Sequence, residues 1–587
     1  GKEGPMIHSG AIVAAQTAGA NAGSLVTPYR LAQEARDFVA AGAAAGVAAA
    51  FGAPIGGVLF AVEEGASHMN PTILVRTFVC AATAGLTARF FAGPLDGTIS
   101  WGILGTRVPV EFGRFGDANY YNVLELPLFV VLGVVCGLCG ALFNFLNTRL
   151  SLWRMRHIGP RGHWRFLEVL GVTVVIVSFN FFAPLIQGGS DRMGAFDAAQ
   201  ALFVDAGGEA ISGLFHVHDH INNGMLLFFF AVHFLQTVWT YGLGVPSGLF
   251  VPSLLAGATL GRVFGQVVRS IDVAGVVTAT PEVYALIGAS GMLSGMARIT
   301  ISLVVILMET TGEAEWGMPI FVVVMVAKWV GDHFNKGIYD IHIDLRHVPL
   351  LEHKAEKQMI ALRASDCMAE DVTSFESESA VGDLLDTLRD CRHHAFPVVD
   401  PATRRFLGLV ERSTLLHVLA LAKEHNALRD PAESNSDDAS GAVGVVPFTE
   451  MVKRGYPAHP RMSEVVERFG AADAHLALDL LPYTNRGCYT VLERAAAMKC
   501  WMLFRTMGLR HLPVLGEDHT VRGMLTRKDL LAAAERHELE PCASAKPSET
   551  PAPERDAEGP SDISSDTTSE SGGRRGIRFT DRVCAKV

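Results

Sequence analysis

Gly1-Lys2-Glu3-Gly4-Pro5 opens the chain and runs straight into an apolar stretch over 6–20. The pattern predicts a helix with a carboxylate at its mouth. The first N–H groups of a helix have no intrahelical acceptor and together carry roughly half a positive charge, so a helix start attracts anions. Pro5 suits the first helical position, where the N–H it lacks would have no partner. Glu3 therefore stands where an anion would bind and competes with one. In an apolar chain this reads as a gated anion path.

The same signature returns far downstream. Gly242-Leu243-Gly244-Val245-Pro246-Ser247 leads into Gly248-Leu249-Phe250-Val251-Pro252, and an apolar run over 253–268 follows. No side chain here offers a full positive charge. The backbone N–H groups of Leu249 and Phe250 are the expected anion ligands, and partial charges bind a conducted ion without trapping it.

The surroundings fit a membrane. The chain has 587 residues, 49% of them hydrophobic, and its mean hydropathy of +0.28 is high for a soluble protein. The excess fills the first 335 residues or so, with apolar stretches at 5–20, 37–62, 71–92, 122–149, 165–186, 224–241, 249–268, 283–309 and 317–330. Some reach the roughly 20 residues needed to cross a bilayer. Others are broken, as at Phe51-Gly52-Ala53-Pro54-Ile55-Gly56-Gly57. Broken helices at membrane depth persist where protein shields them or where they line a polar cavity, and transporters use them to aim helix ends at an ion. A bundle with proline kinks is the plainer reading, and the repeated helix start argues against it.

Val58-Leu59-Phe60-Ala61-Val62-Glu63-Glu64-Gly65 ends an apolar helix with two acids. Acids in membrane segments are costly and mark ion or proton paths, unless both merely solvate the helix end. Neighbouring helical positions point about 100° apart, so one acid can face the interior while the other does something else. Tyr339, in Lys336-Gly337-Ile338-Tyr339-Asp340, offers either a phenolic donor to an anion or an interfacial anchor.

Other features carry less. The net charge of −11 gives no basic, aromatic-laced surface for nucleic acid. Cys136 and Cys139 form a CxxC inside the apolar run 130–145 and read as helix packing. His216, His218 and His220 have metal-like spacing but no partner cluster, and read first as a solvated loop, second as a metal or pH-sensing site. No nucleophile–base constellation or metal motif suggests an enzyme.

From about 352 the chain is soluble in character and repeats itself. Ala395-Phe396-Pro397-Val398-Val399, Phe406-Leu407-Gly408-Leu409-Val410 and Glu411-Arg412-Ser413-Thr414-Leu415 are echoed by His511-Leu512-Pro513-Val514-Leu515, Val521-Arg522-Gly523-Met524-Leu525 and Thr526-Arg527-Lys528-Asp529-Leu530. Each copy predicts helix, strand, turn, strand, helix. Residues 427–444 read as a flexible linker and those from about 541 as a disordered tail. Cys584, three residues from the end, fits a prenylation motif poorly because of Lys586. The chain has no initiator Met and begins inside a motif, so it is expected to be a piece of a longer protein, lacking the first membrane helices and unable to transport by itself.

With these residues in hand, the chain resembles the CLC family of chloride channels and chloride/proton exchangers over about 1–540. The two Gly/Pro helix starts and the tandem CBS repeats stand in family order. Met6-Ile7-His8-Ser9-Gly10, Glu63-Glu64-Gly65-Ala66-Ser67 and Tyr339-Asp340-Ile341-His342-Ile343 look most like the endolysosomal branch. The resemblance implies an α-helical multi-pass membrane protein with broken, tilted helices (1–345), followed by a cytoplasmic α/β tandem CBS pair: repeat 1 at 352–426, a linker or insertion at 427–480, repeat 2 at 481–540 and a tail at 541–587. It implies a homodimer with one ion path in each subunit, in an endosomal, lysosomal or vacuolar membrane, and leaves an accessory membrane subunit open.

By motif, Glu3 matches the gating glutamate and Glu64 the internal proton glutamate, which channels of the family usually replace by an apolar residue. Gly4, Leu249, Phe250 and Tyr339 match anion-binding positions. The other anion-binding segment of the family lies upstream of the gating glutamate, so chloride is the default here and nitrate is not separated from it. The repeats resemble adenine-nucleotide modules: Asp529 matches the acid that holds ribose, Thr526 and Lys528 stand beside the phosphates, and His393 falls where an aromatic residue stacks on adenine. Glu411 and Thr414 depart from the pattern in the first repeat, which leaves at most one site, or a purely structural pair. No cofactor is required; ATP or another adenine nucleotide is the implied regulator. The expected function is voltage-dependent exchange of chloride for protons. The alternatives are a passive chloride channel and, more distantly, a CBS-regulated cation transporter.

Overall fold

The computed structural model describes residues 3–18, 32–66, 71–95, 121–159, 162–187, 200–205, 207–216, 221–271, 277–351, 355, 357–430, 444–456 and 460–538. The histidine loop beyond His216, the tail and Cys584 lie outside the described residues.

The membrane part is built from α1 (Glu3–Ala18), α2 (Ala32–Phe51), α3 (Pro54–Phe60), a π-turn (Ala61–Gly65), α4 (Pro71–Leu95), α5 (Leu126–His157), α6 (Gly162–Gln187), α7 (Gly207–His216), α8 (Asn223–Thr240), α9 (Phe250–Ile271), α10 (Pro281–Ala297), α11 (Ile301–Thr311), α12 (Gly317–Phe334) and α13 (Ile338–Leu345). Six spans among the described residues are long and apolar enough to cross a membrane, by length and composition.

The core forms around α10, whose residues from 282 to 297 are all buried. A helix apolar on every side has to be enclosed by others, and α5, α9 and α12 enclose this one. Glycines set the closeness of the α9–α10 contact. A Cβ on Gly257 would meet the Gly288 carbonyl oxygen at 2.4 Å, and one on Gly261 the Tyr284 carbonyl oxygen at 2.1 Å. Small residues let membrane helices approach backbone to backbone.

Two of the apolar stretches are not single helices. Residues 37–62 break at Gly52, whose φ of +67° separates α2 from α3. Residues 283–309 break at Arg298, a left-handed C-cap (φ +66°) between α10 and α11. The short elements that result aim helix starts into the protein.

The C-terminal part holds two matching α/β units. In the first, β1 (Phe375–Glu376) pairs in parallel with β3 (Ala395–Val399), which forms an antiparallel pair with β4 (Phe406–Glu411). The second repeats this with β7 (Val491–Leu492), β8 (Leu512–Leu515) and β9 (Val521–Leu525). The helices α15 (Val381–Asp390) and α16 (Arg412–Leu421) flank the first hairpin, and α19 (Ala497–Thr506) and α20 (Arg527–Glu538) flank the second, after the short α14 (Ala364–Cys367). Each unit has its own apolar core. The units join through backbone bonds, including Phe406 N–H to His519 C=O (2.9 Å) and a reciprocal pair between Leu409 and Asn485 (3.1 and 2.8 Å).

The segment 427–480, read as a linker or insertion, is folded where it is described. It carries β5 (Leu428–Arg429), α17 (Phe448–Lys453), α18 (Met462–Val466) and β6 (Ala477–Asp479), and β6 lies between β5 and β2 (Glu378–Ala380). Met451, Val465 and Leu478 join the first unit's core. These buried apolar residues fall after the polar run that suggested a linker.

Candidate ion-exchange site

The two Gly/Pro helix starts meet. A Cβ on Gly4 would lie 3.0 Å from Gly248 Cα and 3.4 Å from the Ser247 carbonyl oxygen, so glycine allows the two backbones to touch. α1 begins at Glu3, two residues before the start expected at Pro5, which makes Pro5 its third residue and still leaves it in the first turn. The first helical bond of the second start is Ser253 N–H to Leu249 C=O (3.0 Å). The N–H groups of Leu249 and Phe250 therefore have no intrahelical acceptor. Both residues are buried, and the Phe250 ring packs on Phe51 with centroids 4.5 Å apart. Glu3 is only 2% exposed, and among the described residues its Oε2 has no hydrogen-bond partner. A buried carboxylate oxygen without a donor is costly, as suits a group that alternates with another anion.

Polar contacts from α5 hold the approach to this site. Asn147 donates to the carbonyls of Val238 (3.0 Å) and Tyr241 (2.9 Å). Buried Arg154 donates to the Tyr241 carbonyl (2.9 Å) and the Trp239 carbonyl, and pairs with Glu168 at 2.6 Å. These bonds satisfy the end of α8 just before the Gly242–Gly248 loop begins its turn. His342 Nε2 lies 3.0 Å from Asn147 Oδ1, which ties the helix carrying Tyr339 to the same anchor. Tyr339 is half-buried against the core rather than free at the surface, and lies within electrostatic reach of Glu64 and Tyr241.

The two acids of the pair have different surroundings. Glu63 accepts four hydrogen bonds. Its Oε1 takes the Thr300 N–H (2.7 Å) and hydroxyl, and its Oε2 takes the Ser302 N–H (3.0 Å) and hydroxyl (2.6 Å). Glu64 is exposed, and the charges of Glu63, Asp340 and Lys328 act on it. Directly after it, Gly65 and Ala66 line a cavity of about 220 Å³, bounded across from them by Arg505 and Gly508 of the second α/β unit. Arg36 of α2 donates to the Gly508 carbonyl at 3.2 Å across the same junction.

Sequence reading missed several of these groups. Glu309 accepts the N–H groups of Ile55 (3.2 Å) and Gly56 (2.7 Å), and Arg89 donates to the Gly52 carbonyl (3.1 Å), so both cover the α2–α3 break. Glu125, fully buried, accepts from Thr278 N–H and hydroxyl (both 2.7 Å), Ala279 N–H (3.2 Å) and the Tyr284 hydroxyl (3.1 Å). An acid inside or beside an apolar run was the available signal. Cys136 is buried and directs its thiol at the Gly288 carbonyl (3.6 Å) within the α5–α10 packing.

Among the nucleotide candidates, Asp529 Oδ2 accepts the Thr526 N–H (2.8 Å) and hydroxyl (2.6 Å), a cap on α20. Thr526 thus already donates its hydroxyl proton within the protein, while Lys528 and His393 are exposed. His511, at the edge of β8, has its imidazole pushed down to about 4 by burial, then by His394, Arg510 and His393, which groups His393 with the second unit.

The family profile described as voltage gated chloride channel matches residues 1–332, and the CBS domain profile matches 364–421 and 483–536. The chain belongs to the voltage-gated chloride channel (CLC) family. It is 37% identical over 560 residues to the H(+)/Cl(-) exchange transporter 7 of Rattus norvegicus, covering 90% of this chain and 68% of that protein. It is 32% identical to chloride channel protein CLC-d of Arabidopsis thaliana, covering 90% and 71%. Its fold matches a crystal structure of a eukaryotic CLC transporter with a TM-score of 0.56 at 21% identity, over 90% of this chain and 76% of that one. These matches bear out a multi-helix CLC membrane domain followed by a CBS pair.

Proposed function

We propose that the chain is the ion-exchange and regulatory part of a chloride/proton exchanger of an intracellular membrane. The observation that carries this is the buried Glu3 carboxylate at the contact of two helix starts. Charged, Glu3 occupies the anion site formed with Gly4 and the N–H groups of Leu249 and Phe250. Protonated, it leaves, and the anion takes its place. Tyr339 completes the inner side, and Glu64 passes protons between Glu3 and the cytoplasm. One carboxylate serves both ions, so opposite fluxes are coupled through its two protonation states.

The similarity to the named exchanger supports exchange over passive conduction, as does an acid at position 64. Chloride is the transported anion in this reading. The membrane domain spans 1–345, with CBS repeats at 352–426 and 481–540, and the protein is a homodimer. The pair binds an adenine nucleotide at one site using His393, Thr526, Lys528 and Asp529. Because Asp529 also caps α20, Asp529→Asn is the informative variant: it keeps a capping oxygen and should still weaken ATP binding in a titration of the full-length protein.

The reading is tested by measuring both fluxes in liposomes. Glu64→Ala should abolish proton movement and leave chloride flow. Proton pumping by Glu64→Ala against its gradient would refute the assignment.

A further inference from the structure

We infer that Glu63 is a positioning residue for proton transfer, one half of a reciprocal carboxylate clamp that fixes the turn carrying Glu64. The inference rests on Glu64 as the proton glutamate.

The helices α3 and α11 pack closely. A Cβ on Gly56 would meet Ile306 Cγ1 at 2.4 Å and Ile306 Cα at 3.0 Å. Neither helix caps itself: Ala53 and Thr300, at the two N-cap positions, make no side-chain cap. Each is capped by the other. Glu309, near the end of α11, takes the Ile55 and Gly56 N–H groups at the start of α3. Glu63, just past the end of α3, takes the Thr300 and Ser302 N–H groups at the start of α11. A carboxylate at a helix start satisfies orphan donors and sits at the favourable end of the dipole. Gly56 and Ser302 are buried, so without these carboxylates their N–H groups would be left unpaired, which is costly.

What Glu63 holds is an unusual turn. Ala61–Gly65 is a π-turn, closed by Ala66 N–H to the Ala61 carbonyl at 2.7 Å. Such a turn inserts one residue relative to an α-helix and redirects the side chains after it. It lies at a helix end, where fraying is the default. Four hydrogen bonds to Glu63 fix it, and Glu64 is the next residue. All four bonds are accepted by the Glu63 carboxylate, so both of its oxygens are committed to the start of α11. The adjacent acids divide the work: one holds and the other transfers.

The test uses the full-length protein in liposomes, with chloride and proton fluxes read from the same vesicles. Glu63→Ala should lower the protons moved per chloride by roughly tenfold, less than the ~100-fold that a reacting group misplaced by about 1 Å can cost, with chloride flux within about twofold of wild type. Thr300→Val with Ser302→Ala removes two of the four bonds and should lower the ratio by about threefold, half of that effect on a logarithmic scale. Adding Glu63→Ala to that pair should cost nothing beyond Glu63→Ala alone. Glu63→Gln, which keeps one accepting oxygen, should rescue part of the ratio. A loss of folded protein changes both fluxes together and leaves the ratio alone. A wild-type ratio in Glu63→Ala would overturn the inference, as would a wild-type ratio in the Thr300/Ser302 variant beside a collapsed one in Glu63→Ala. Glu64→Ala is run in parallel: if it keeps proton coupling, the fault lies in the assignment of Glu64, and both readings fall.

Discussion

Glu3 and Glu64 differ in the way an exchanger needs. One carboxylate is enclosed beside two helix starts with an oxygen lacking a donor; the other is exposed beside a cavity at the junction with the CBS pair. In the proposed mechanism, Glu3→Gln removes the charge that competes with an anion and keeps the shape. It should leave chloride flux that no longer varies with pH, measured as efflux over a series of bath pH values. The place of Glu3 at a helix start was legible because its motif sets an acid there within five residues. Glu63 and Glu309 were not, because their partners lie 237 and 253 residues away. Local pattern identifies a carboxylate in an apolar run; only packing decides whether it caps a helix or moves a proton.

Among the elements, α9 and α10 depend on absent side chains. Gly261→Leu places carbon where the Tyr284 carbonyl oxygen stands, and should destabilise the membrane core by about 1–3 kcal/mol or more. Thermal aggregation in detergent would read this as a lower midpoint. Glu125 joins the start of α5 to the loop before α10. Removing it leaves Thr278, Ala279 and Tyr284 donors unpaired, so Glu125→Ala should cost about 1–3 kcal/mol for the donors left without partners, while Glu125→Gln should cost less. Apolar runs revealed most membrane elements. They did not reveal the break at Arg298, where a non-glycine residue takes a left-handed conformation that tertiary contacts, including an Asp332 pair at 3.1 Å, help to hold. The CBS repeats were legible because their hairpins recur; the folded part of 444–480 was not, because its polar flank hid core residues such as Met451, Val465 and Leu478.

At the scale of the molecule, the membrane domain and the second CBS unit touch through Arg36 and Gly508. The stability of that unit should depend on pH in a stated direction. His511 titrates at about 4 when folded and near its ordinary 6.5 when unfolded. The unfolded chain therefore takes up a proton first as pH falls from about 6.5 to about 4, and the folded unit loses stability across that window. Hydrogen exchange in β8, corrected for intrinsic rates, should quicken between pH 7 and 5, and His511→Gln should flatten the change. The central claim concerns coupling between the two ions. The most direct measurement places the full-length protein in liposomes with a chloride gradient, no proton gradient and a defined membrane potential, and records proton flux. The account expects protons to move uphill, driven by chloride. Chloride current with no proton movement would contradict it and make the protein a channel.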